Sequence, residues 1–166
     1  MGYGGSIDAE LLAAVRLLDP EAGPVAPGTG GAVHDIVILA SPNRTDLANS
    51  VAALRPGGWV CAEVRRLSRD QAGPRTPWGW RRAFVVAGLD DVEVYWHPPR
   101  LEASTRMVPI ASATAVRNTL RRHQAVRFGW AKSVVGGVAL KLGLFGLAIS
   151  EGTVVGRRSG GADLRS

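Results

Sequence analysis

Residues 33–64 read Val33-His34-Asp35-Ile36-Val37-Ile38-Leu39-Ala40, then Ser41-Pro42-Asn43-Arg44. A stretch with Leu47, Val51 and Leu54 at helical spacing follows, then Arg55-Pro56-Gly57-Gly58 and Trp59-Val60-Cys61-Ala62-Glu63-Val64. The first run is rich in β-branched residues, is of strand length and does not alternate, which is the pattern of a parallel strand buried on both faces. Such a strand needs a helix over it, and residues 44–54 supply one. Pro56 breaks that helix, and the glycines turn the chain into a second buried strand, Trp59–Val64. Strand, helix, turn and strand follow at the spacing of a right-handed βαβ unit. The predicted class is α/β, a mostly parallel sheet flanked by helices.

Upstream, Ile7, Leu11, Leu12, Val15 and Leu18 predict a helix that Ser6 or Asp8 caps and Pro20 ends. Gly2-Tyr3-Gly4-Gly5 is a Gly-rich start with no strand before it, and so fails the strand–glycine–helix order of a cofactor cradle. Residues 20–31 are so rich in Pro and Gly that a loop is expected, and Gly28-Thr29-Gly30-Gly31 reads as linker. Downstream, Thr76 caps and Pro77 opens a helix with Trp80, Phe84 and Val85 on one side, which Gly88 stops. Residues 91–97 alternate as a half-exposed strand near the sheet edge. Residues 112–126 read as a helix with Ala113, Val116 and Leu120 opposite Arg117, Arg121 and Arg122. Thr153–Gly156 is a short last strand, and Arg157–Ser166 reads as a disordered tail. The expected organisation is a helix and Pro/Gly-rich linker over 1–32, an α/β domain over 33–156 and a tail over 157–166.

The chain has 166 residues, 46% of them hydrophobic, which is one domain's worth of core. Its net charge of +6 is uneven: residues 1–60 hold three basic and six acidic side chains, residues 61–166 hold 17 and eight. All the cations but Lys132 and Lys141 are arginines, which suit phosphate or carboxylate contacts and equally reflect a high-GC genome. Nucleic acid is a weak partner reading, because no helix-turn-helix, aromatic platform or zinc finger accompanies the charge. The apolar run 134–149, with Lys141 near its centre, is shorter than the roughly 20 residues that span a bilayer. It reads as a buried helix; peripheral contact with an anionic membrane, through Arg117, Arg121, Arg122, Arg127 and Lys132 before it, is the lesser alternative. A single cysteine, Cys61, and the lack of a signal peptide predict a reducing, cytoplasmic setting. His34, His97, His123 and Cys61 are never at ligand spacing, so no metal site is expected.

The series Asp35-Ile36-Val37-Ile38-Leu39, a helix, Leu54-Arg55-Pro56-Gly57-Gly58-Trp59-Val60, a helix ending Ala87-Gly88-Leu89, and Asp91-Val92-Glu93-Val94 resembles the second half of class I S-adenosylmethionine-dependent methyltransferases. In that family the fourth strand commonly begins with Asp and β-branched residues. An L-x-P-G-G turn precedes the fifth strand, and an A-G-F/L helix end precedes the sixth. The match covers residues 33–97 in order, and Thr153–Gly156 falls where the antiparallel seventh strand lies. The resemblance implies a truncated Rossmann-like, methyltransferase-like domain. Its implied cofactor is S-adenosylmethionine, and its implied acceptor is a small molecule or biosynthetic intermediate. The family holds its cofactor on a Gly-rich loop after the first strand and on an acidic residue ending the second. Only 32 residues precede Val33, too few for three strands and their crossovers. The cofactor half is therefore expected to be missing or shortened. The domain is then incomplete or inactive alone, or completed by a partner chain or second copy. The alternative is a non-catalytic interaction or scaffold module in a biosynthetic complex.

Ligands bind at the carboxyl ends of parallel strands. That singles out Ser41 and Asn43 as cofactor contacts, although capping of the helix at Arg44 competes for them and is the favoured reading. Arg65 and Arg66 are candidate substrate contacts through bidentate bonds, against the favoured reading of a solvated rim. His97 is a candidate substrate contact or general base, against the reading of a surface residue. Glu63, near the end of a buried strand, must either reach the pocket or meet an arginine. The tryptophans at 59, 78, 80, 96 and 130 fit core or edge packing. No catalytic residue is assigned.

Overall fold

A computed structural model describes residues 1–5, 7, 9–27, 31–65, 73–97, 106–123, 149 and 151–160. The expected βαβ unit is present: β3 (His34–Ala40) and β4 (Leu54–Arg65) run parallel, joined by α2 (Arg44–Ala53). Before them lie β1 (Gly2–Gly5), α1 (Ala9–Leu18) and β2 (Gly23–Pro24); after them come α3 (Pro77–Val86), β5 (Leu89–Trp96), β6 (Val108–Pro109), α4 (Ala113–His123) and β7 (Glu151–Arg158). The strands form one seven-stranded sheet in the order β2-β1-β3-β4-β7-β5-β6. Strands β2, β1, β3 and β4 are mutually parallel, and β7 enters antiparallel between β4 and β5.

The register aligns side chains in rows across the sheet, and successive rows face opposite ways. One face carries Val37, Leu39, Val60, Ala62, Val154 and Val94. This apolar floor is buried under Leu47 of α2 and Trp80 and Phe84 of α3. Gly156 lies directly under Phe84, whose Cδ1 would stand 2.8 Å from any Cβ there, so the ring settles onto the strand backbone. The other face carries Tyr3, Ile38 and Ala40, against which α1 packs Leu11 and Val15.

The local signals explain the helix ends. Asn43 and Asp46 form a capping box on α2, and the Thr76 hydroxyl accepts from the Gly79 amide at the start of α3, with Pro77 in its first turn. Gly88 takes a positive φ of 82° at the stop of α3. The Arg55–Gly58 turn is absorbed into β4 as a bulge: Leu54 pairs with His34 and Trp59 with Ile36, so four residues loop out opposite Asp35. Arg55 clamps Asp35 at 2.9 and 3.1 Å.

Several expectations need correction. Gly2–Gly5 is a strand, not a loop. Its missing side chains let the backbone pair closely with β3, and Leu39 Cδ2 would sit 3.1 Å from a Cβ at Gly4. Residues 23–24 of the expected loop also pair into the sheet, held by the Val25 amide on the Tyr3 carbonyl at 2.8 Å. The last strand is longer than Thr153–Gly156 and takes in Arg157 and Arg158 of the expected tail. Arg158 is ordered because its guanidinium caps the carbonyl end of α2, at Val51 (2.9 Å) and Leu54. Leu18 and Val85, read as core-facing, are exposed, because Leu11 and Val15 fill the α1 contact and Trp80 and Phe84 fill that of α3. The alternating 91–97 stretch does lie near the sheet edge, in β5, outside which only the two-residue β6 pairs. Ser6, Asp8 and residues 134–148 lie outside the described residues. The arrangement predicts that Phe84→Ala costs about 3–5 kcal/mol in urea unfolding, whereas Val85→Ala stays within about 0.5 kcal/mol.

Candidate functional site

The carboxyl ends of β1, β3 and β4 lie side by side, with Gly5 beside Ala40 and Ala40 beside Glu63. The β1 end requires glycine: Gly5 has φ 76°, and a Cβ there would stand 2.3 Å from the Ala40 carbonyl oxygen. Strand, glycine turn and α1 thus follow in the order that opens backbone amides to a ligand. At the β3 end Ser41 adopts a left-handed φ of 45°, and its amide donates to the Glu63 carbonyl at 3.1 Å. Its strained backbone therefore continues the sheet edge before the chain turns into α2. The Asn43 side-chain oxygen accepts from the Asp46 amide at 2.9 Å, the capping role that the sequence favoured for it.

At the β4 end Glu63 is buried and Arg65 half-buried. Both point to the α1 side of the sheet, two residues apart on one strand. The guanidinium forks onto the carboxylate through three contacts of 3.0–3.1 Å. Glu63 thus meets an arginine, and Arg65 spends its fork inside the protein and is no solvated rim. Arg66 lies outside the described residues. Across the sheet, Glu63 faces Thr153 and Arg65 faces Glu151 on β7, and Thr153 faces Tyr95 on β5. His97 follows β5 in the alternation of Glu93 and Tyr95 and is wholly buried, contrary to the surface expectation. The Tyr95 hydroxyl donates to Glu93, and that bond, with partial burial, holds its phenol above the ordinary range. Burial likewise pushes up the Cys61 thiol, one row toward the amino end.

Sequence reasoning pointed to Ser41, Asn43, Arg65 and Glu63, which the structure gathers at one edge. It missed Glu151 and Thr153, since nothing local in the sequence says which strand β7 pairs with. Among the described residues no group of three metal-ligating side chains occurs, and no helix is long and apolar enough to cross a membrane. A hollow of about 330 Å³, lined by Met107, Val108, Pro109 and Asn118, lies at the β6–α4 margin of the sheet, where Pro109 pairs with Tyr95.

The strand that the resemblance requires to be antiparallel, β7, is so, and it lies beside the parallel β3–β4 pair. The order and directions of the strands are those that the resemblance implies. No protein-family model and no curated protein matches the chain. Among solved structures, a candidate sarcosine dimethylglycine methyltransferase from Galdieria sulphuraria is similar at 11% identity and TM-score 0.44, over 95% of this chain and 69% of that one. The [4+2]-cyclase SpnF is similar at 16% identity and TM-score 0.38, over 96% and 67%. A phosphoethanolamine N-methyltransferase from Haemonchus contortus, solved with S-adenosylhomocysteine, is similar at 12% identity and TM-score 0.41, over 90% of this chain and 40% of that one. At such identities and TM-scores these likenesses carry nothing about activity, cofactor or substrate.

Removing one partner of a buried pair leaves the other charge unpaired. Arg65→Gln is expected to cost about 3 kcal/mol in urea unfolding, and the double variant with Glu63→Gln to recover part of it. For Cys61 the folded value lies above the ordinary 9.0, so folding favours the protonated thiol. The associated stability is whole below that value and is lost as pH rises through the folded one. Iodoacetamide is expected to modify the native thiol far more slowly than the urea-unfolded one.

Proposed function

We propose that this chain is a methyltransferase-like domain whose carboxyl edge binds a small ligand and which does not transfer a methyl group by itself. S-adenosylmethionine is the cofactor the resemblance implies. The glycine turn at Gly5 suits its approach, because no side chain can stand between the β1 backbone and a ligand there. The ribose contact does not fit. From Ala22 through β2 to Val33 the chain contains no Asp or Glu, and Asp19 and Glu21 precede β2. That observation carries the reading. A carboxylate accepting two ribose hydroxyls makes charge-assisted bonds of about 1.5–3 kcal/mol each, so its absence lowers affinity by more than about 100-fold.

A second reading, a non-catalytic module in a biosynthetic complex whose partner chain or second copy covers it, is favoured by Leu17 and Leu18. Both are exposed, at 85% and 72%, near the end of α1. Small-molecule binding and partner binding are compatible, and solution mass separates a monomer from a self-associated form.

Calorimetric titration with S-adenosylhomocysteine tests the main reading. Binding weaker than about 10 μM, with no transfer from labelled S-adenosylmethionine, is expected; one-site binding tighter than that overturns it.

A further inference from the structure

We propose that the α1-side face at the ends of β4 and β7 holds the ammonium group of a small amine, which donates to Glu151 and Thr153. The inference rests on the reading above and names the ligand class its polar edge accepts.

Four side chains form a block on this face. Glu63 and Arg65 of β4 stand opposite Thr153 and Glu151 of β7, with directly paired Cβ atoms about 4.5–5.5 Å apart. Arg65 satisfies both oxygens of Glu63. Thr153 is 2% exposed, yet among the described residues its hydroxyl oxygen has no hydrogen-bond partner, and neither does the buried Oε2 of Glu151. A buried polar atom without a partner costs about 1–3 kcal/mol, so two on adjacent same-face positions of one strand point to a donor that arrives from outside the fold.

The chemistry of that donor follows from the acceptors. A carboxylate oxygen accepts only, and among the described residues the block sets two carboxylates against one guanidinium, a balance that favours a cationic donor. Thr153 and Glu151 are two residues apart on one face, and a tetrahedral ammonium nitrogen making two bonds of about 2.9 Å bridges oxygens about 4.7 Å apart. An anion would meet Glu151 as a like charge. A divalent cation would have only two carboxylates, beside an arginine, with no third ligand of its usual kind among the described residues.

The row containing Thr153 runs through Glu63 and Ala40 to Gly5, so an amine held here lies along the same row of the sheet as the glycine turn.

The test is calorimetric titration of the full chain with ethanolamine, against neutral 1,2-ethanediol and anionic glycolate at equal ionic strength. Saturable binding of ethanolamine alone is expected. Glu151→Gln should weaken it about 10- to 100-fold and Thr153→Val should weaken it, while Thr153→Ser retains it. Without ligand, Thr153→Val should unfold at the same or higher urea concentration, because it removes an unpartnered hydroxyl. Equal binding of ethanolamine and ethanediol, undiminished binding by Glu151→Gln, or a destabilised free Thr153→Val protein overturns the proposal. S-adenosylhomocysteine is titrated separately: tight binding there with no ethanolamine site refutes both readings, and tight binding with a Glu151-dependent ethanolamine site refutes only the weak-cofactor reading.

Discussion

Side chains in a strand alternate between two faces, so the register of β4 with its two neighbours determines what each face of this sheet is made of. With Ile38 opposite Cys61 and Cys61 opposite Val155, the rows through Val37, Leu39, Val60, Ala62 and Val154 all point to the face that α2 and α3 cover. The complementary rows begin with Tyr3, Ile38 and Ala40 under α1 and become polar toward the carboxyl end at Glu63, Arg65, Thr153 and Glu151. The core and the candidate site are thus two sides of one pairing. A slip of one residue would drive Glu63 and Arg65 together into the apolar floor.

The buried carboxylate illustrates how energetics limit that arrangement. Isolated, it would carry a desolvation penalty of several kcal/mol. Arg65, two positions on, points to the same face and returns most of that penalty through a forked bond. A well-packed apolar pair in its place would hold the sheet equally well. The retained charges, with the unpartnered oxygens of Thr153 and Glu151, therefore speak for recognition more than for stability.

Much of this was legible locally. The β-branched run at Ile36–Leu39, the caps at Asn43 and Thr76 and the glycine stop at Gly88 are signals within a few residues, and each element they mark is present. Strand β1 was not legible, because Gly2-Tyr3-Gly4-Gly5 has almost no strand propensity and forms only by pairing with residues 35 positions away. The same holds for Arg158, whose order comes from carbonyls more than 100 residues earlier. The site followed that division. Ser41, Asn43 and Arg65 could be named from strand ends, and the burial of Glu63 already required it to reach the pocket or meet an arginine, whereas Thr153 and Glu151 join the site only through a long-range antiparallel pairing.

Cross-strand nuclear Overhauser contacts of the backbone protons test the register itself. The account predicts contacts that join Glu63 to Thr153 and Cys61 to Val155 across β4 and β7, and Ala40 to Glu63 across β3 and β4. Contacts shifted by one residue, with Glu63 opposite Val154 or Gly152, would place the carboxylate on a different row and contradict both the core and the site described for this chain.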